Sequence, residues 1–327
     1  MRKPAKSHFS RKKVSRDRAK PASRVEARAH TLARALGVIL RFEKPADVLM
    51  SAFFKANPQM GQKDRSTIAE AIFFAMRHYL EISWRMKPAN PVDDPLAAAE
   101  LTLAMQNEAE DGLSGLSPHR AQALQKALSK DFSQAPAFYR AEMPFWLFEK
   151  ISAQNARPND FFVSQTESAP LDLRVNTLKA TRGDVLDEIA KLNWEARPTP
   201  FSPTGIRLVG KPALTQTAIF KAGLFDVQDE GSQLIAQLLE AHRGEMVCDF
   251  CAGAGGKTLA LGAAMKSKGR LYAFDVNQKR LESLLPRARR AGLSNVYAAP
   301  ILNEHDLRVK RLKNKFDRVL VDAPCSG

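Results

Sequence analysis

The sequence predicts an α/β protein in which an all-α helical domain and a small α+β segment precede the first four strands of a parallel sheet covered by helices. Three observations carry this expectation. Four short apolar runs after Met246 recur at helix-length intervals, the pattern of repeated strand-helix units. A glycine-rich turn, Cys251 to Gly256, follows the first of these runs. Between Val25 and Leu128 the apolar residues recur instead at helical spacing.

The chain of 327 residues, 44% of them apolar, is long enough for two or three packed domains. Its net charge of +15 is uneven, because residues 1–24 hold ten Lys or Arg against Asp17 alone. Such a block cannot bury enough apolar surface to offset its ordering entropy, so 1–24 is expected to be a disordered basic arm. A polyanion is its natural partner, since phosphate contacts release counterions; the alternative is a solubilising tail. Three cysteines favour a reducing compartment over a disulfide framework, so a cytoplasmic protein is expected. No apolar run approaches the roughly 18 residues of a membrane span, and the N-terminus lacks the apolar core of a secretory signal.

A helical domain is expected over 25–135. Leu32, Leu36, Ile39 and Leu40 form one stripe, Val48, Leu49, Ala52 and Phe53 a second, and Ile68 through Leu80 a continuous third. Lys55, Lys63, Arg65, Arg77 and Arg85 lie between them, facing either RNA or solvent. After a break at Asp131–Pro144, residues 140–240 read as a compact α+β segment, with strands near Leu171–Thr177 and Ile206–Val209. In the last segment, 241–327, the strand runs are Val247–Phe250, Leu271–Phe274, Val296–Ala299 and Val319–Val321. Pro286 interrupts the stripe Leu281, Leu284, Leu285, Ala288, so that helix is expected to be kinked or to begin late.

The strongest chemical signal is Asp249-Phe250-Cys251-Ala252-Gly253-Ala254-Gly255-Gly256-Lys257-Thr258. Glycines let backbone approach a ligand closely, and a helix N-terminus offers it unpaired N–H groups. A phosphate-cradling loop requires Gly at 251, where Cys stands, and a dinucleotide fingerprint requires a third glycine at Thr258. The next strand ends at Asp275, where a carboxylate can accept from both hydroxyls of a ribose or cap the strand. The fourth runs into Asp322-Ala323-Pro324-Cys325, a carboxylate and a thiol at the edge where open α/β sheets bind ligands. Cys248 and Cys251 have the spacing of half a zinc site, but no second pair of ligands follows, and no metal is expected.

These residues, with Arg174-Val175-Asn176-Thr177-Leu178-Lys179 and Gln228-Asp229-Glu230-Gly231-Ser232 upstream, resemble the RsmB/Nop/Sun family of RNA cytosine-5 methyltransferases. The resemblance covers Leu171 to Gly327, and the helical region resembles the NusB-like RNA-binding domain of bacterial members. It implies a Rossmann-like class I methyltransferase sheet, S-adenosylmethionine as cofactor, and RNA, ribosomal RNA foremost, as partner to a monomer. By the resemblance, Cys251, Ala252, Gly253, Ala254, Gly255, Gly256 and Lys257 wrap the methionine and ribose, Asp275 holds the ribose hydroxyls, and Asp322 lies by the methyl donor and target base. Asn303 stands where the family has an Asp near the adenine, with Asp306 as the alternative.

In the family mechanism a cysteine of a later Thr-Cys motif attacks cytosine carbon six and activates carbon five, a step suited to a thiolate. The Pro-Cys thiol, here Cys325, assists product release. No Thr-Cys pair occurs in these residues, and four of the fold's usual seven strands are recognised, so a fragment of a longer enzyme is expected, its outer strand Val319–Val321 without a neighbour. Two other functions compete: an inactive RNA-binding fragment, and a nicotinamide-dependent oxidoreductase. The second leaves Asp322 to Cys325 unexplained.

Overall fold

The computed structural model describes residues 24–106 and 116–323. The chain divides into two compact units, Met1–Ser168 and Ala169–Gly327. The expected basic arm, apart from Arg24, lies outside the described residues.

The first unit is helical: α1 Arg24–Ile39, α2 Ala46–Ala56, α3 Gln62–Arg77, α4 Tyr79–Met86, α5 Pro95–Met105, α6 Pro118–Leu128, α7 Ala137–Arg140, α8 Phe145–Gln154 and α9 Pro158–Thr166. Helix α5 is the central element. Pro95 occupies its first turn, the Asp94 carboxylate accepts the Ala97 N–H at 2.9 Å, and this combination fixes a helix start. Its small buried residues Ala98 and Ala99 let α1 approach closely, and Leu32, Leu36, Phe53, Ile68 and Ile72 complete one core with Leu101. The buried Glu100 pairs with Arg120 of α6 at 2.6 Å.

Three expectations are corrected here. The stripe Ile68–Leu80 is divided between α3 and α4 at His78, because the Glu142 carboxylate accepts the N–H groups of Leu80 and Glu81 at 2.7 and 2.8 Å and starts a new helix there. Val48 is 52% exposed, the inner face of α2 being formed by Leu49, Met50 and Phe53. Arg65, Arg77 and Arg85 donate to backbone carbonyls of Met60, Thr166 and Lys130 respectively, while Lys55 and Lys63 are exposed.

The boundary at Ser168 puts α8 and α9 with the helices, although the sequence reading opens its α+β segment at 140. In the second unit come β1 Leu171–Val175, α10 Arg182–Lys191, β2 Ala196–Pro198, β3 Gly205–Leu208, α11 Ala218–Lys221, β4 Phe225–Val227 and α12 Glu230–Leu238. The strands pair antiparallel in the order β2-β3-β1-β4. Thr181 and Asp184 close a reciprocal capping box on α10, which lays Val185 and Ile189 on the sheet residues Leu173, Val175, Ile206 and Phe225.

Then follow β5 Met246–Asp249, α13 Gly256–Ala264, β6 Arg270–Asp275, α14 Gln278–Ala291, β7 Val296–Pro300, α15 Leu307–Lys310 and β8 Arg318–Leu320. This sheet is parallel, in the order β7-β6-β5-β8, and is the expected Rossmann-like sheet of four strands. Buried Val247, Leu271 and Leu320 meet Leu261 of α13 and Met265 just after it, while Ala273 meets α14 through Leu281, Leu284 and Ala288. Strand β8 pairs with β5 on one side; among the described residues nothing pairs with its other edge, and Val319 and Val321 are exposed.

Helix α14 does not begin late: it starts at Gln278 and runs on through Pro286. Asn277 caps its start by accepting the Arg280 N–H, and Gly292 ends it at φ 81°. Pro286 lies on the exposed face, where the carbonyl it leaves unpaired faces water. No helix among the described residues is long and apolar enough to cross a membrane.

Candidate functional site

The chain winds outward from β5 through β6 to β7 and then returns to the other side of β5 as β8. Such a reversal leaves a crevice at the carboxyl ends of the strands, and the glycine-rich loop leaves β5 at that point. The loop is pinned to both neighbouring strands: the Phe250 N–H donates to the Leu320 carbonyl and the Ala252 N–H to the Phe274 carbonyl, each at 2.9 Å. Gly253 and Gly255 take positive φ, 54° and 86°. At Gly255 an added Cβ would stand 2.0 Å from Leu284 Cδ1, whereas at Gly253 it would meet nothing within 4 Å. One glycine therefore permits close packing on α14, and the other leaves open space above the loop.

Asp275 ties this loop to the next. One carboxylate oxygen accepts the Gly253 N–H and the other the Asn277 N–H, both at 2.7 Å, and each keeps a lone pair for a further donor. From α13, the Lys257 ammonium meets Asp322 Oδ2 at 2.6 Å. Asp249 is buried beneath and accepts from the Thr258 hydroxyl at 2.6 Å. Burial raises its pKa to about 6, with the charges of Asp322 and Asp275 adding to the effect against Thr258 and Lys257.

The Cys251 thiol is pushed up by burial and then by Asp275, Asp249 and Asp322. Three carboxylates thus converge on one loop. Cys248 is buried within β5 and pushed up to about 12 by burial. With both thiols pushed up, neither is set up as a free nucleophile at neutral pH. Among the described residues, the one group of three with ligand atoms within metal-binding reach is His78, Glu81 and Glu142 in the helical unit. Both Glu142 oxygens there hold backbone N–H groups and Glu81 holds Arg85, so the group acts as a helix cap.

Cys325 lies outside the described residues. Asn303 and Asp306 are both engaged locally: Asn303 Oδ1 accepts the His305 N–H at 2.9 Å, and Asp306 accepts the N–H groups of Leu302 and Arg308 while capping α15. Two residues that the motif search passed over stand beside Asp275. Val276, directly after it, is 67% exposed, and Leu302 is 87% exposed; the latter follows Ile301, whose N–H donates to the Asp275 carbonyl. In the sequence they are only apolar residues next to Asp275 and Asn303; their exposure comes from the fold. Arg174 and Lys179, whose charge suits phosphate contacts, are spent internally, Arg174 buried against Gln228 and Lys179 on the carbonyls of Ala222 and Arg290.

Residues 236–327 match the family described as 16S rRNA methyltransferase RsmB/F, and residues 143–215 match the RsmF/B-like ferredoxin-like domain. The probable ribosomal RNA small subunit methyltransferase B of Synechocystis sp. is 35% identical over 190 residues, 56% of this chain and 42% of its own length. Its counterpart of the same description in Bacillus subtilis is 34% identical over 155 residues, 47% of this chain and 34% of its own length. The chain therefore spans less than half the length of these relatives. Among solved structures, that of PH0851 is similar at TM-score 0.66, with 25% identity, covering 91% of this chain and 74% of that one. A methyltransferase homologue from Pyrococcus horikoshii is similar at TM-score 0.53, with 28% identity, covering 61% and 65%.

Proposed function

We propose, for a chain that belongs to the RsmB/Nop/Sun family of methyltransferases, that it binds S-adenosylmethionine at the crevice above β5 and β6 and serves cytosine-5 methylation of ribosomal RNA. The observation that carries the cofactor reading is the charge at the loop. Asp249, Asp275 and Asp322 all bear on Cys251, and the two cations at the loop, Lys257 and Arg287, are already paired with Asp322 and Asp226. A dinucleotide pyrophosphate or a triphosphate would meet net negative charge there; the sulfonium and ammonium groups of S-adenosylmethionine would meet attraction.

The remaining donors and surfaces fit the same ligand. Asp275 retains lone pairs for the ribose hydroxyls, Val276 and Leu302 offer apolar surface to an adenine, and the space above Gly253 is open. The bound cofactor supplies an electrophilic methyl group. This chain's residues hold it: the loop 251–257 cradles it, Asp275 orients the ribose, and Asp322, fixed by Lys257, presents a carboxylate where a base amine can donate. Asp322 is thereby held in place rather than free to turn into solvent. The raised pKa values of Cys248 and Cys251 leave nucleophile and product-release roles to other thiols, of which Cys325 is the one the family pattern assigns to release. The RNA assignment rests on the names of the relatives and on the net charge of +15.

Calorimetric titration of the chain with S-adenosylmethionine, with NADH and ATP as controls, tests this. Selective binding of S-adenosylmethionine is expected; preference for NADH or ATP, or no binding by a folded chain, overturns the cofactor reading.

A further inference from the structure

Arg287 and Arg290 lie one turn apart on α14 and both reach Asp226 of β4. Arg287 Nη2 and Arg290 Nη2 each stand 3.1 Å from Asp226 Oδ2, and Arg287 Nε adds a bond at 3.3 Å. Asp226 is itself buried, and its other oxygen accepts the Val227 N–H at 2.9 Å. Beyond this shared carboxylate the two arginines differ. Arg290 turns to Phe220, donating to its carbonyl and lying 3.8 Å over its ring. Arg287 turns to the glycine-rich loop, Nη1 donating to the Ala254 carbonyl at 2.5 Å.

That carbonyl belongs to the peptide unit joining Ala254 to Gly255. The same unit's N–H, on Gly255, donates to the Ala252 carbonyl at 2.8 Å. Because a peptide unit is planar, holding its oxygen from one side and its N–H from the other fixes its orientation. The unit leads directly into the first turn of α13, whose N–H groups have no intrahelical partner. Leu284, on the same face of α14 one turn earlier, fills the space a Gly255 Cβ would need. Helix α14 therefore grips the loop through Leu284 and Arg287, and Asp226 anchors that grip in the antiparallel sheet.

We infer that Arg287 is a positioning residue of the glycine-rich loop, anchored by Asp226, and that it presets the N–H groups of Gly256 and Lys257 for the cofactor. The second half of this inference rests on the reading that the loop binds S-adenosylmethionine. Without Arg287 the loop has to be ordered when ligand arrives, and ordering that accompanies binding is lost from affinity.

Two measurements on the full chain test it, using wild type, Arg287→Ala, Arg287→Lys and Arg290→Ala. The first is hydrogen exchange of the Gly255 amide without cofactor, the second calorimetric affinity for S-adenosylmethionine. Arg287→Ala is expected to speed Gly255 exchange and to weaken binding about tenfold, in the range preorganisation commonly contributes. Arg287→Lys, with a single ammonium for two partners, falls between. Arg290→Ala removes an ion pair to the same Asp226 but not the bond to Ala254, and moves both readouts less than Arg287→Ala does. Equal Gly255 exchange in wild type and both Arg287 variants overturns the clamp. Faster exchange with unchanged affinity overturns the presetting role. Wild-type chain that binds no S-adenosylmethionine refutes the cofactor reading and the presetting with it, while the exchange comparison still decides the clamp.

Discussion

Lys257 and Asp322 meet at 2.6 Å, so the helix that follows β5 touches the segment that leaves β8. The carboxylate is 46% exposed at its side chain and the lysine 15%, and an ion pair so open to water contributes at most about 1 kcal/mol to stability. Its value lies in fixing two charged groups at the mouth of the crevice. On the proposed function, Lys257→Ala is expected to shift the thermal midpoint little while weakening calorimetric affinity for S-adenosylmethionine, because Asp322 is no longer held. A parallel loss of stability and affinity would show that the pair is structural instead.

Asp275 joins the glycine-rich loop to the start of α14 through Gly253 and Asn277. Asp275→Ala removes both acceptors and leaves two N–H groups without partners, which costs about 1–3 kcal/mol for each that stays buried. Asp275→Asn keeps one acceptor and the shape. Cofactor affinity is expected to fall in both variants, further in Asp275→Ala, as read by calorimetry. Unchanged affinity in Asp275→Ala would remove this residue from the site.

The four parallel strands were legible because each is a short apolar run between helix-length segments, and β5 to β8 lie on the expected residues. The boundary at His78 was not. The stripe from Ile68 to Leu80 keeps its phase with no Gly or Pro between, and the break is imposed by Glu142, whose carboxylate lies 62 positions along the chain from Leu80. The setting of Arg174 was illegible for a similar reason. A basic residue in a strand resembles a phosphate contact until a partner such as Gln228 is seen to bury it. Arg287 carries no motif, since its two partners, Asp226 and Ala254, come from separate parts of the chain. Val276 and Leu302 were visible as apolar residues, but only the fold shows them exposed beside Asp275.

The two positive-φ glycines of the loop make separable predictions. Gly253→Ala adds a methyl into open space, so its effect is the left-handed backbone alone, about 1–2 kcal/mol. Gly255→Ala adds the same strain and drives Cβ to 2.0 Å from Leu284 Cδ1; overpacking brings the expected loss to more than about 2 kcal/mol. Denaturant midpoints of the two variants measure the difference. If Gly253→Ala is the more damaging, the loop packs on α14 otherwise than described.

Asp249 gives the site a pH dependence of definite sign. Burial raises its folded pKa to about 6, above the roughly 3.9 of an unfolded aspartate, so between these values the folded chain binds more protons than the unfolded one. Stability from this group therefore falls as pH rises from about 4 to about 6, and the loss is complete above that window. The hydrogen bond from Thr258 and the charge of Lys257 oppose the rise; Thr258→Val removes the first and should move the midpoint higher. Asp249→Asn has no such proton to bind, so its thermal midpoint should lack this downward component across the window. Thermal midpoints of wild type and Asp249→Asn that run parallel from pH 4 to pH 7 would mean that burial does not raise the folded pKa of Asp249.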